Sequence, residues 1–157
     1  MRRTLLCLAL CLLPGTAYAA DGSWSAAMEN TDGGPALVAS ITGQADGNVQ
    51  PTLELMCAGD KGVALRYAMA SDEGEPGGDA DFLFENEHDQ ITRHMVYEDE
   101  DGAFAAYFPV NDPMIRLLET GEDAFLSEAT GNYPNQDFPL AGSTKAIAAV
   151  LKTCKQR

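Results

Sequence analysis

Two histidines are the first residues in this chain whose type and setting could do chemistry. His88 sits in Glu85-Asn86-Glu87-His88-Asp89 and His94 in Thr92-Arg93-His94, which brings imidazole and carboxylate groups close together along the chain. That mixture can hold a divalent metal. The spacing matches no zinc signature, however, and a polar turn followed by a strand accounts for both residues, so no metal is expected. Glu98-Asp99-Glu100-Asp101-Gly102 offers clustered oxygens for calcium but lacks the loop frame and closing glutamate of an EF-hand. Ser23, Ser25, Ser40, Ser71, Ser127 and Ser143 fall in no G-x-S-x-G or S-x-x-K pattern, so no nucleophile is marked. Paired carboxylates are available among 24 acidic residues, but the sequence shows no means of raising the pKa of one of them as glycoside hydrolysis needs. No catalytic residue and no cofactor are assigned. The chain reads as non-enzymatic.

The cysteines carry a different chemistry. Of four, Cys7 and Cys11 lie in residues 1–19, which read as a secretory signal peptide. Arg2 and Arg3 give its charged start, an apolar run follows, and Ala17-Tyr18-Ala19 supplies the cleavage site. The apolar run is too short for a permanent membrane span, so no stable membrane insertion is expected after cleavage. Leu10 stands where a lipoprotein signal preceding Cys11 needs a small residue. The mature product, residues 20–157, then keeps Cys57 and Cys154 alone and is expected to be periplasmic or secreted. Two cysteines in an exported chain read as one disulfide, which would close a loop spanning most of the domain.

Charge narrows the partners. The formal net charge is −14, and the signal peptide removes two arginines and no acid. Such a chain repels a phosphate backbone, which disfavours nucleic acid, and it repels an anionic membrane for the same reason. It steers toward a basic protein instead. Asp72, Glu73, Asp99, Glu100 and Asp101 stand in acidic loops and are the candidates for contacting that partner. Solvation of an exported protein explains the same acids without any partner.

These residues need elements to hold them. Residues 24–28 and 36–41 flank Thr31-Asp32-Gly33-Gly34, a hairpin signal. Residues 52–57 and 63–69 form a second hairpin across Ala58-Gly59-Asp60-Lys61-Gly62. In its strands Leu53, Leu55 and Cys57 share one face, as do Val63, Leu65, Tyr67 and Met69. Residues 71–81 are acidic and Gly-rich, and read as a flexible loop. A short strand at Phe82-Leu83-Phe84 precedes a third hairpin, residues 91–98 and 103–108, whose mixed alternation leaves the buried face open. Asp112 and Pro113 mark a helix start. Residues 124–127 and 138–140 read as further strand. After Gly142 a terminal helix begins, with the hydroxyl of Ser143 or Thr144 expected as its cap. Its stripe of Ile147, Val150, Leu151 and Cys154 recurs at helical spacing. So short a helix must lie on something larger. The expected fold is α+β and mostly β: a small antiparallel sandwich or half-barrel with a disulfide-anchored C-terminal helix.

Leu53-x-Leu55-x-Cys57, the strand from Val63, and Phe138-x-Leu140-x-Gly142 followed by Ala146-Ile147-Ala148-Ala149-Val150-Leu151-x-x-Cys154 resemble small exported bacterial proteins of the VasI type, which accompany type VI secretion clusters. The resemblance implies the strand-to-helix disulfide and a secretion-associated accessory or immunity-type role. It assigns no catalytic residues. Inhibition of a basic hydrolase such as lysozyme is the alternative that charge suggests, and metal binding at His88 and His94 is another.

Overall fold

The computed structural model describes residues 22–31, 33–43, 50–69 and 78–154. The signal-peptide reading, Asp72, Glu73 and most of the acidic loop at residues 71–81 fall outside those residues.

Among the described residues nine strands form one antiparallel sheet: β1 (Ser25–Thr31), β2 (Gly34–Thr42), β3 (Thr52–Cys57), β4 (Val63–Ala68), β5 (Ala80–Glu85), β6 (Gln90–Glu98), β7 (Ala103–Phe108), β8 (Asp123–Glu128) and β9 (Gln136–Pro139). Helix α1 (Pro113–Glu119) joins β7 to β8, and α2 (Ser143–Cys154) ends the described chain. The strand order is β1-β2-β3-β4-β7-β6-β5-β8-β9. The three hairpins read from the sequence all form, with register Thr31↔Gly34, Cys57↔Val63 and Glu98↔Ala103 next to their turns. Two pairings link segments far apart in sequence, β4 with β7 and β5 with β8.

The sheet curls into a half-barrel. Trp24, at the head of β1, donates its backbone N–H to the carbonyl of Ala141 at 2.8 Å, so the chain just after β9 returns to the first strand. A Cβ on Gly43, which follows β2, would lie 3.0 Å from the Phe138 ring in β9. The period-two alternation of the strands sorts side chains to the two faces. Leu53, Leu55, Val63, Leu65, Tyr67, Phe82, Phe84, Phe104, Leu126 and Phe138 fill the inside. Edge-to-face contacts join Tyr67 to Phe82 and Phe138, and Phe82 to Phe104. Burial pushes the Tyr67 hydroxyl well above its usual pKa. In β6 the face left open by the sequence resolves clearly: Met95 is fully buried, and Ile91 and Tyr97 pack on the core. Arg93 shares that side because it pairs with Asp112 and lies over the Phe108 ring at 5.6 Å. Asp112 also accepts the Met114 N–H at 2.9 Å, the expected cap of α1.

Helix α2 covers the open side of the curl near β1, β2 and β3, burying Ala146, Ile147 and Val150. Cys154, on the same stripe, bonds to Cys57 with a Cα–Cα distance of 5.3 Å across 97 residues. The cap of this helix differs from expectation. The Ser143 hydroxyl is buried and has no hydrogen-bond partner, while Thr144 donates its hydroxyl to the Glu119 carbonyl at 3.1 Å and so ties α2 to the end of α1. The first turn is set by backbone instead. Gly142 takes φ +82°, Ser143 N–H reaches the Leu140 carbonyl at 3.0 Å, and Ala146 N–H reaches Gly142 at 3.1 Å. With glycine supplying the left-handed turn, no side-chain oxygen is needed there.

Candidate functional site

The outer face of the sheet carries the exposed chemistry, and among the described residues it gathers acid in three places. The largest is a hollow of about 610 Å³ lined by Glu85, Glu87, Glu122, Asp123, Asp137, Asn86 and Phe125. Its floor follows from register. Glu85 in β5 pairs with Phe125 in β8, and Phe125 pairs with Asp137 in β9, so one row runs carboxylate, ring, carboxylate across three strands. Adjacent strands lie about 4.8 Å apart, which puts the two backbone positions flanking the half-buried ring about 10 Å from each other. The rim is fixed by the turn after β5. Asn86 donates to the carbonyls of Leu117 and Thr120 at 2.9 and 2.8 Å, closing the end of α1, and accepts the N–H groups of His88 and Asp89. Glu87 accepts the Glu122 N–H at 3.2 Å. An aromatic face ringed by carboxylates suits a lysine or arginine side chain, held by charge at the sides and by the ring quadrupole below.

A second cluster surrounds Arg66 in β4. Its guanidinium bonds Glu98 at 3.0 Å and Asp101 at 2.6 Å. Tyr107 donates its hydroxyl to the other Glu98 oxygen at 2.5 Å, and the Lys61 ammonium lies 4.3 Å over the Tyr107 ring. Burial works against the Arg66 charge, but Asp101 and Glu98 outweigh it and raise its pKa. Glu54, opposite Arg66 in register, is pushed up by burial first and then by the charge of Glu29. The Asp99-Glu100-Asp101 tip therefore divides: Asp101 is engaged by Arg66, while Asp99 and Glu100 remain exposed.

The third place holds His94. Its Nδ1 lies 2.9 Å from Asp81 and its Nε2 3.4 Å from Asp79. The hydrogen bond to Asp81, followed by that to Asp79, raises the His94 pKa. Nearby Glu128 accepts the N–H groups of Thr130 and Asn132, each at 2.9 Å. Burial opposes its charge, but these bonds and that from the Thr130 hydroxyl lower its pKa. His88 lies elsewhere, two residues before β6 begins and 3.6 Å from Glu87, whereas His94 is four residues into that strand, about 13 Å further on. The two histidines are not brought together. Among the described residues no group of three metal-ligating side chains is placed to hold an ion, and no helix is long and apolar enough to cross a membrane.

The acid-ringed Phe125 is the part that the sequence did not single out. Glu85 and Glu87 belong to a visibly acidic turn, but Asp137 and Phe125 reach them only through the β5–β8–β9 register. The chain matches no protein-family model, and no curated protein or solved structure is significantly similar to it.

Proposed function

We propose that this chain is an exported, non-enzymatic protein-binding factor that acts in the periplasm or outside the cell on a basic partner. The observation that carries the reading is the row Glu85, Phe125, Asp137 with Glu87, Glu122 and Asp123 around it. It concentrates part of the −14 charge around one aromatic surface, and such a field speeds encounter with a cationic protein. The disulfide between Cys57 and Cys154 fits an oxidising compartment. The resemblance to VasI-type proteins supports an accessory or immunity-type role in secretion as the finer form of this function.

The test is affinity capture from periplasmic extract with the mature chain as bait, at low salt and again at high salt. A basic protein recovered at low salt is expected, with recovery falling in a Glu85→Gln, Asp137→Asn double variant. Capture indifferent to both salt and the double variant would remove the reading. Adding the protein to lysozyme decides whether the basic partner is a hydrolase, since inhibition sensitive to the same double variant would favour the inhibitor form.

A further inference from the structure

We infer that the free edge of β1 accepts an extended, lysine- or arginine-bearing segment of the basic partner as an added strand. This rests on the basic-partner reading above and names how that partner docks.

The two ends of the sheet are finished differently. Strand β9 is four residues long, ends in Pro139, and is followed by Leu140, whose N–H is taken by the Glu122 carbonyl. Strand β1 is seven residues long and pairs with β2 in unbroken register from Ser25↔Ser40 to Thr31↔Gly34. The bond from Trp24 to Ala141 stops at the residue before β1. Beyond it, among the described residues, β1 has no partner on its other side. It contains no proline, lysine, arginine or bulge, and Glu29 is the one charge it sets against an added strand, a charge that a basic segment would answer.

Register shows which backbone groups face outward. Pro35 has no N–H to give and stands opposite Asn30, which suits the non-hydrogen-bonded kind of antiparallel pair. By alternation the Ala26, Met28 and Asn30 N–H and carbonyl groups point to the open edge, while those of Ala27 and Glu29 hold β2. Side chains then define the occupant. Met28 is 64% exposed and lies on the side of the sheet shared with Leu37, where it offers an apolar contact. Glu29 is on the opposite side, and with Thr31, Glu54 and Met56 it lines a hollow of about 160 Å³, whose far wall holds Arg66 already paired with Asp101. Neither Glu29 nor Glu54 makes an ion pair among the described residues. An added strand presents alternate side chains to the two faces, so one set meets Met28 and the other meets Glu29 and Glu54. An apolar set with a basic set fits both. A second copy of this chain is disfavoured, because each copy brings a charge of −14.

The probe is a capped peptide of alternating lysine and valine long enough to span β1, titrated into the mature protein at low salt. Its control is the same peptide N-methylated on the alternate amides, which keeps the charge and removes the edge bonds. Binding is expected, weakened about tenfold or more by N-methylation, by Met28→Pro, and by Glu29→Lys. Met28→Pro removes an outward N–H without touching the β2 ladder, and the peptide control keeps the test decisive if that variant misfolds. Equal affinity for the two peptides would overturn strand addition and leave the basic-partner reading standing. Absence of binding by either peptide would overturn the proposal and count against that reading as well. A dimer abolished by Met28→Pro would give the edge to a second copy and overturn the proposal.

Discussion

Gly142 and Trp24 meet at the seam of the half-barrel: a Cβ on Gly142 would lie 3.0 Å from the Trp24 carbonyl oxygen. The same glycine holds φ +82° to start α2, so one residue serves both the turn and the closure. Gly142→Ala is expected to destabilise the protein by about 1–3 kcal/mol, read as a lowered midpoint in urea. A fall smaller than that of a surface Gly→Ala change would mean the seam yields easily.

Loss of the disulfide is predicted to cost more. Cys57 and Cys154 close a loop of 97 positions, and the Cys57→Ser, Cys154→Ser double variant should lose about 3–4 kcal/mol, measured by denaturant unfolding under oxidising conditions. The α2 amides should exchange with solvent faster than those of β4 and β7 in that variant, because the helix is short without its anchor.

Glu54 gives a pH dependence with a definite sign. Its folded pKa is raised, by burial and then by Glu29, so the folded chain holds this proton more tightly than the unfolded one. Its contribution favours folding at and below roughly pH 4 and is lost as pH rises through the folded value. Glu54→Gln should therefore stabilise the protein at pH 7 by up to about 1 kcal/mol, and the gain should vanish in acid. Arg66→Met acts in the opposite direction. It strips Glu98 and Asp101 of their cation, and a loss of about 1–3 kcal/mol at neutral pH is expected.

His94 should titrate above an ordinary histidine, because Asp81 and Asp79 favour its charged form. A raised histidine pKa supports folding below the unfolded value and loses that support as pH rises through the folded one. NMR titration of the ring is expected to show the raised value, and Asp81→Asn should bring it back toward 6.5. An unchanged titration in that variant would place the cause outside the Asp81 contact.

Much of this architecture was legible because local chemistry and tertiary structure agree. Asp112 and Pro113 announce a helix and cap one, and Cys57 shares a strand face with Leu53 and Leu55 that turns inward toward Cys154. Legibility fails where a residue answers to a distant neighbour. Arg93 occupies an inward position because Asp112 pairs with it, which blurred the alternation of β6. The Ser143 and Thr144 hydroxyls lost the capping role to the Gly142 backbone. The Glu85, Phe125, Asp137 row depends on which strands become neighbours, and that order is not written in any one segment.

The bond between Trp24 and Ala141 also bears on the order in which the molecule can assemble. The first strand finds its seam partner only after residue 141 has been made, and Cys57 waits for residue 154. Neither fastening can form on a half-synthesised chain. Contacts this distant in sequence slow folding, so the first strand can pair with its hairpin neighbour early, while the seam and the disulfide close last.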